Sequence, residues 1–185
     1  MEFVPYEDFG ALLVETAVTA DRVVSAVAAL SGDEIAVGPM SVGPGGAASV
    51  VATGSLGRPE ASIVGEGPRR FDVAVPARIV LDVTVAGGVT RYEANLVAHL
   101  FLTVQTAAPL ALVIDIDPPR KRDIELEVRS SGWRAKVIGR LGDVDRKIRE
   151  QVVVVISQRL ETPAARSARV IDLSSKIDAV WEPPA

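Results

Sequence analysis

Apolar residues occupy every second position along two long neighbouring segments in the middle of the chain. Every odd position from Phe71 to Val85 is apolar, and so is every even position from Tyr92 to Val104. A period of two places one set of side chains on one face of a β-strand. Between the segments lies Gly87-Gly88, a strong signal for a tight hairpin turn. We predict an antiparallel hairpin whose strands span about 50 Å, at about 3.3 Å per residue.

Shorter alternating segments on both sides of this hairpin predict further antiparallel strands, so that strands occupy residues 34–139. Before the hairpin, two short strands are broken by Gly38-Pro39 and by the glycine-rich residues 43–46, and a third is predicted near residues 61–64. After the hairpin, strands are predicted at residues 110–116, 124–128 and 133–137.

The hydrophobic period changes to that of a helix at both ends of the chain. Apolar residues recur at three- and four-residue spacing over residues 8–30 and again over 143–161, which predicts one helix in each range. Pro163 ends the second helix, and residues 170–182 predict a short strand followed by a last helix.

This order of elements predicts an α+β fold in a single domain of residues 1–185. Neighbouring strands rotate by about 20–25° relative to one another, so strands of this length cannot form a flat sheet. We therefore predict a long, strongly coiled antiparallel meander wrapped around the N-terminal helix and the long C-terminal helix.

The succession of helix, long curved meander and helix resembles the tubular lipid-binding (TULIP) superfamily, in its bacterial branch. The likeness is carried by "FDVAVPARIVLDVTVAGGVTRYEANLVAHLFLTV", by "LALVIDIDPP" with "DIELEVR", and by "DVDRKIREQVVVVISQRL" followed by "VIDLSSKIDAVW". It implies a hydrophobic lumen that binds, and in some members transfers, a lipid without chemistry. The side chains expected to line it are the inward strand positions and the facing helix positions: Phe71, Val73, Val75, Ile79, Leu81, Val83, Leu96, Ala98, Leu100, Leu102, Leu112, Ile114, Ile148, Val152 and Ile156.

Composition narrows the chemistry further. Aromatic residues make up 4% of the chain, so the inward faces are aliphatic. There is no cysteine and one histidine, which excludes thiolate catalysis, disulfides and multi-histidine metal sites. A net charge of −4 leaves no electrostatic footprint for nucleic acid. We expect a non-enzymatic protein without a cofactor, and a cytoplasmic one, because neither a secretory signal nor a membrane-spanning segment is recognisable.

Three groups of residues carry candidate chemistry, and a structural role is favoured for each. No motif in the sequence supplies His99 with a partner of the kind that a general base needs. Asp115 and Asp117 alternate on one strand face, as solvated residues do, and two carboxylates are too few to specify a metal site. The glycine-rich residues 43–49 lack the lysine of a phosphate-binding loop.

Two surface features suggest partners. Arg120, Lys121 and Arg122 offer peripheral contact with an anionic membrane, although nearby acidic residues favour a merely solvated turn. On the outward face of the sheet, apolar side chains stand among polar ones and suggest a second subunit: Val80, Val97, Phe101 and Val113.

Two alternatives to lipid binding stay open. In the first, the core is filled and the protein is an assembly module that forms a homodimer. In the second, the curved sheet and long C-terminal helix belong to a helix-grip enzyme of the polyketide-cyclase type. Such an enzyme would normally have inward polar residues, whereas the predicted inward faces are almost entirely aliphatic.

Overall fold

A computed structural model describes residues 3–32, 34–65, 69–129 and 144–181. Over these residues the fold is α+β, with five helices packed against one antiparallel sheet of eight strands that curls into a half-barrel. The strands are β1 (Glu34–Val42), β2 (Ala48–Leu56), β3 (Glu60–Ile63), β4 (Arg70–Val85), β5 (Gly88–Ala107), β6 (Ala111–Ile116), β7 (Ile124–Arg129) and β8 (Val170–Asp172). The helices are α1 (Tyr6–Ala17), α2 (Ala20–Ser31), α3 (Val144–Leu160), α4 (Pro163–Ala168) and α5 (Ser174–Trp181). In these ranges, no helix combines the length and the apolar character needed to cross a bilayer.

The long hairpin is confirmed, with β4 and β5 paired without interruption from Arg70 opposite Thr103 to Val85 opposite Gly88. Odd positions of β4 and even positions of β5 face the core, as the alternation predicts. The predicted turn residues are wrong by one position. Ala86 and Gly87 form the turn, with φ of 48° and 81°, a combination typical of a type I′ hairpin.

Charge pairing across the strands favours the observed turn. The observed register places Asp82 opposite Arg91, and the guanidinium donates to the carboxylate at 2.8 Å and 3.2 Å. A turn at Gly87-Gly88 would shift the register by two residues. It would preserve both faces but set Asp82 opposite Glu93, and like charges directly opposite destabilise a sheet.

The Asp82–Arg91 pair predicts a stability difference that depends on pH. The hydrogen bond from Arg91 holds the pKa of Asp82 below its usual value. A carboxyl whose pKa is lowered on folding stabilises the protein above its unfolded pKa of about 3.9, and this contribution disappears as the pH falls through the folded pKa. Asp82→Asn should therefore lower the urea midpoint of unfolding at pH 7. The difference in midpoint between this variant and the wild type should disappear as the pH falls below 4. In an Arg91→Gln background the same substitution should have little effect. A gap that persists at low pH would contradict this assignment.

The two long strands form the spine of the sheet, and each pairs with two short strands on its outer side. Along β4, the first half pairs with β3 and the second half with β2. Along β5, the first half pairs with β7 and the second half with β6. Strand β1 extends the sheet beyond β2 and β8 extends it beyond β6. Gly38-Pro39, predicted to break a strand, instead lies within β1 at a register shift.

The single N-terminal helix predicted over residues 8–30 is wrong, because the chain forms two helices that meet at Val18-Thr19. Thr19 has extended backbone angles, and its hydroxyl accepts a hydrogen bond from the Arg22 amide, which caps α2. The Arg22 guanidinium donates to the carbonyls of Thr16 and Ala17, which α1 leaves free at its end. Val18, between the helices, is buried at 2% exposure.

Two apolar clusters fill the two ends of the concave face. One lies under α3, where Val144 and Ile148 pack against β1, β2, β7 and the half of the hairpin next to its turn. The other lies under α1 and α2, where Val18 and Val23 pack against Phe71 and the far half of the hairpin. Helix α3 is also tied to the sheet by polar bonds, from Lys147 to the Ser41 carbonyl and from Arg149 to the Ile124 carbonyl.

The C-terminal region follows the prediction with one addition. Helix α3 ends before Pro163, and the strand and helix predicted over residues 170–182 are β8 and α5. Pro163 also begins α4, which the sequence did not predict, and the Thr162 hydroxyl caps it by accepting from the Ala165 amide. The strand predicted at 133–137 lies outside the described residues.

Candidate functional site

A cavity of about 150 Å³ lies between the two apolar clusters, enclosed by the concave face of the sheet and by helices α2, α3 and α4. Its floor is the middle of the long hairpin, where Val75 of β4 pairs with Ala98 of β5. Helices α2 and α3 form opposite walls with Val27 and Ile156. At this stretch of the sheet β4 and β5 also exchange their outer partner strands.

Nine of the fifteen side chains expected to line a lumen lie on this cavity: Val75, Ile79, Leu96, Ala98, Leu100, Leu102, Ile148, Val152 and Ile156. The other six do not line it, although all fifteen belong to the two clusters or pack against them: Phe71, Val73, Leu81, Val83, Leu112 and Ile114. Strand alternation assigns a side chain to the concave face, but it does not determine how far along that face a helix covers it.

Most lining residues outside the long hairpin were not predicted. They come from the C-terminal half of α2, from β1, β2 and β6, from the C-terminal half of α3 and from α4: Val27, Leu30, Ser31, Ile35, Ala36, Val37, Ala52, Leu56, Ile116, Val155, Arg159, Leu160 and Ala165. Val27 and Leu30 belonged to the predicted apolar face of the N-terminal helix, which was the available signal for that wall.

The mouth of the cavity lies where α2 and α3 end, and we define it by Leu30, Ser31, Arg159 and Leu160. Leu30 and Arg159 are exposed there, whereas the residues of the floor are buried. Ser31 and Arg159 are the two polar residues of the lining within the described part of the chain. The Ser31 hydroxyl donates to the Val27 carbonyl at 2.7 Å, so it closes a helical turn.

His99 lies on the convex face of the sheet, away from the cavity. Its Nδ1 lies 2.9 Å from a carboxylate oxygen of Asp72, and its Nε2 lies 3.7 Å from Glu125. All three side chains are at least partly exposed. The histidine therefore has carboxylate neighbours that the sequence did not reveal, but among the described residues no serine or threonine hydroxyl is hydrogen-bonded to it, as a hydrolase nucleophile would be.

The other chemical candidates are also distant from the cavity. Asp115 and Asp117 are exposed at the end of β6, and no group of three or more possible metal ligands occurs in the described ranges. Residues 43–49 contain the Pro44–Gly46 turn that joins β1 to β2.

The basic segment at residues 120–122 is partly neutralised by acidic side chains. Lys121 donates to Glu150 of α3 at 2.5 Å, and Arg122 lies 3.6 Å from Asp123. The main chain of Arg120 donates to the same aspartate. The predicted membrane contact stays a prediction, and the pairing favours a structural role for Lys121.

The predicted outer apolar patch is spread over three strands of the convex face. Phe101 is its most exposed member, and Val80, Val97 and Val113 are partly buried. Charged residues stand directly opposite, with Asp72 across from Phe101 and Glu93 across from Val80. The homodimer expected from this patch stays a prediction.

Comparison with known proteins adds no relative to these observations: no family model matches the chain, and no match was found among curated proteins or solved structures.

Proposed function

We propose that this protein binds a small apolar ligand in the cavity between its curled sheet and helices α2 and α3, without covalent chemistry. The observation that carries the proposal is the lining. It is aliphatic except for Ser31 and Arg159 at the mouth, and no polar residue is buried among the residues described. An apolar site of this kind binds by removing ligand and wall surface from water.

The size of the cavity restricts the ligand. A cavity of about 150 Å³ with aliphatic and aromatic walls is large enough for benzene. That is far below the roughly 300–1,000 Å³ of sites for drug-sized ligands. The two helix layers fill the ends of the concave face, so the proposal is narrower than a tube for a phospholipid. A single short chain or a small ring fits the volume better than two acyl chains.

The resemblance to the TULIP superfamily remains a prediction, and ligand transfer is an extension of it that this volume does not require. The helix-grip enzyme finds less support, since the polar side chains of the described lining are confined to the mouth. The filled-core assembly module has one observation in its favour. Many of the concave-face side chains, Leu81 and Val73 among them, are fully buried by the protein's own helices.

Native mass spectrometry before and after organic extraction, followed by titration with 1-octanol, tests the proposal. We expect either a co-purified apolar molecule or saturable binding of 1-octanol at one site. NMR shifts should be concentrated on methyl groups of lining residues such as Ile79 and Val152. Methyl groups of Leu112 and Val83, which are buried away from the cavity, serve as the control set. A protein that carries no extractable molecule and does not bind 1-octanol would refute the proposal and favour the assembly module.

A further inference from the structure

One charged side chain, that of Arg159, lines the otherwise aliphatic cavity within the described residues. It lies in the last turn of α3, and its Nη2 donates to the Glu34 carbonyl at 3.3 Å. No carboxylate of the described residues lies within 4 Å of its guanidinium. A guanidinium presents five donors in a fixed planar arrangement, so most of its donors are not accounted for by this one bond.

A second guanidinium lies behind the same wall. Arg169 donates through Nη2 to the carbonyl of Leu160, a residue of the mouth, at 2.5 Å. Its Nε is buried and has no acceptor in the described part of the chain. Arg166, by contrast, is paired with Glu161. The segment 159–169, which begins at the mouth of the cavity, thus contains three arginines and one glutamate.

We infer that the ligand is an amphiphile with a single anionic head, such as a carboxylate, placed at Arg159 and with its hydrocarbon part in the cavity. This inference rests on the proposed function and specifies its ligand class. A neutral hydrocarbon has no acceptor for the hydrogen bonds of the guanidinium, and an ammonium head would be repelled by its positive charge. A carboxylate matches the planar donors of arginine and can accept two hydrogen bonds from it.

The cavity volume sets the length of the hydrocarbon part. A space that holds benzene, a molecule of six carbons, accommodates about six carbons of a chain, with the head and its neighbouring methylene at the mouth. Octanoate is therefore a suitable probe, and 1-octanol and octylammonium have the same chain with a neutral and a cationic head.

A structural role for Arg159 must be separated from this one. Helices α2 and α3 both end at the mouth, and their free carbonyls attract a cation without any ligand. A capping arginine would affect stability and would change the binding of all three probes alike. An arginine that contacts the ligand head changes the binding of octanoate relative to octanol.

The experiment is calorimetric titration of octanoate, 1-octanol and octylammonium into the wild type, Arg159→Gln and Arg166→Gln at pH 7. We expect the wild type to bind octanoate more tightly than octylammonium. Arg159→Gln should weaken the binding of octanoate about threefold to fivefold, as expected for losing an ion pair near the surface, and change the affinity for 1-octanol by less than about twofold. Arg166→Gln, which removes an equal positive charge nearby, should change the affinity for octanoate by less than about twofold. Arg159→Lys should retain part of the preference for the anion.

The possible failures are distinct. If 1-octanol binds but octanoate binds no better than octylammonium, or if Arg159→Gln weakens all three probes equally, this inference is wrong and the proposed function stands. If none of the probes binds to the folded wild type, both are wrong. Urea unfolding of each variant verifies that it is folded before titration.

Discussion

Ala98→Phe is expected to leave the protein folded while reducing its affinity for 1-octanol at least tenfold. Ala98 is buried in the middle of β5, and it lies on the cavity floor beside Leu96 and Leu100. The substitution adds one phenyl ring to a cavity whose volume matches benzene. The ring therefore takes the space of the ligand, and the unfolding free energy should change little.

Ala94→Phe is the matched control for this experiment. Ala94 lies four residues earlier on the same strand and the same face, and it is equally buried, but it does not line the cavity. It pairs with Ile79 and Val128 in the cluster under α3, to which Ala98 also belongs, so the two alanines differ in that only Ala98 lines the cavity. Adding a ring there overpacks the core and should cost about 1–3 kcal/mol or more. Urea unfolding of both variants, with octanol titration of those that fold, gives the comparison.

Equal destabilisation by the two substitutions would show that the region around Ala98 has no usable space. Combined with a wild type that binds no octanol, that result would favour the filled-core assembly module. Destabilisation by Ala94→Phe alone, with binding lost in Ala98→Phe, supports the cavity as the ligand site.

Phe71→Ala is expected to destabilise the protein by about 3–5 kcal/mol. Phe71 is the largest side chain of the second cluster, with 1% of its surface exposed, and it packs there with Val18 and Val23. The Arg69 guanidinium also lies over its ring, at 5.6 Å from the centroid. Truncation leaves a large void that the neighbouring strands cannot close, because their positions are fixed by the hairpin register.

Phe101→Ala provides the comparison on the other face of the sheet. Phe101 belongs to β5 and stands opposite Asp72, the neighbour of Phe71, but 38% of its surface is exposed on the convex side. Its truncation should cost about 1 kcal/mol or less, since surface substitutions away from special features have small effects. Urea unfolding measures the difference in the free energy of unfolding between the two variants. The comparison requires that the free energy depends on urea concentration with the same slope in both. Similar losses would mean that the convex face is covered, as the predicted homodimer would require, and sedimentation would then show whether Phe101 lies in a subunit interface.

Both apolar clusters share the long strands, and this has a consequence for where a ligand can bind. The two clusters fix the sheet, and the aliphatic side chains that line the cavity include members of both. The cavity therefore lies where the two clusters meet. A ligand there would contact both α2 and α3, and Ile156 of α3 already packs against both clusters.

Periodicity in the sequence was sufficient to predict the hairpin, the inward faces of its strands, helix α3 and the α+β class. These are local consequences of backbone geometry, since a period of two or of 3.6 residues assigns each side chain to a face whatever the partner. The mouth of the cavity was harder to predict. Arg159 carries no local signal, because an arginine in the last turn of a helix is equally expected from the helix dipole.

Tertiary structure decided three further features. The break at Val18-Thr19 depends on Arg22 folding back to cap α1, a bond that no hydrophobic period reveals. The register of the hairpin, and with it the turn, is favoured by Asp82 meeting Arg91 across the strands. The cavity depends on where α2 and α3 lie along the concave face: Ala98 lines it, whereas Ala94 of the same buried cluster does not. The sequence alone determined which side chains face inward, whereas the packing of distant segments determined which of them meet a neighbour and which are left to meet a ligand.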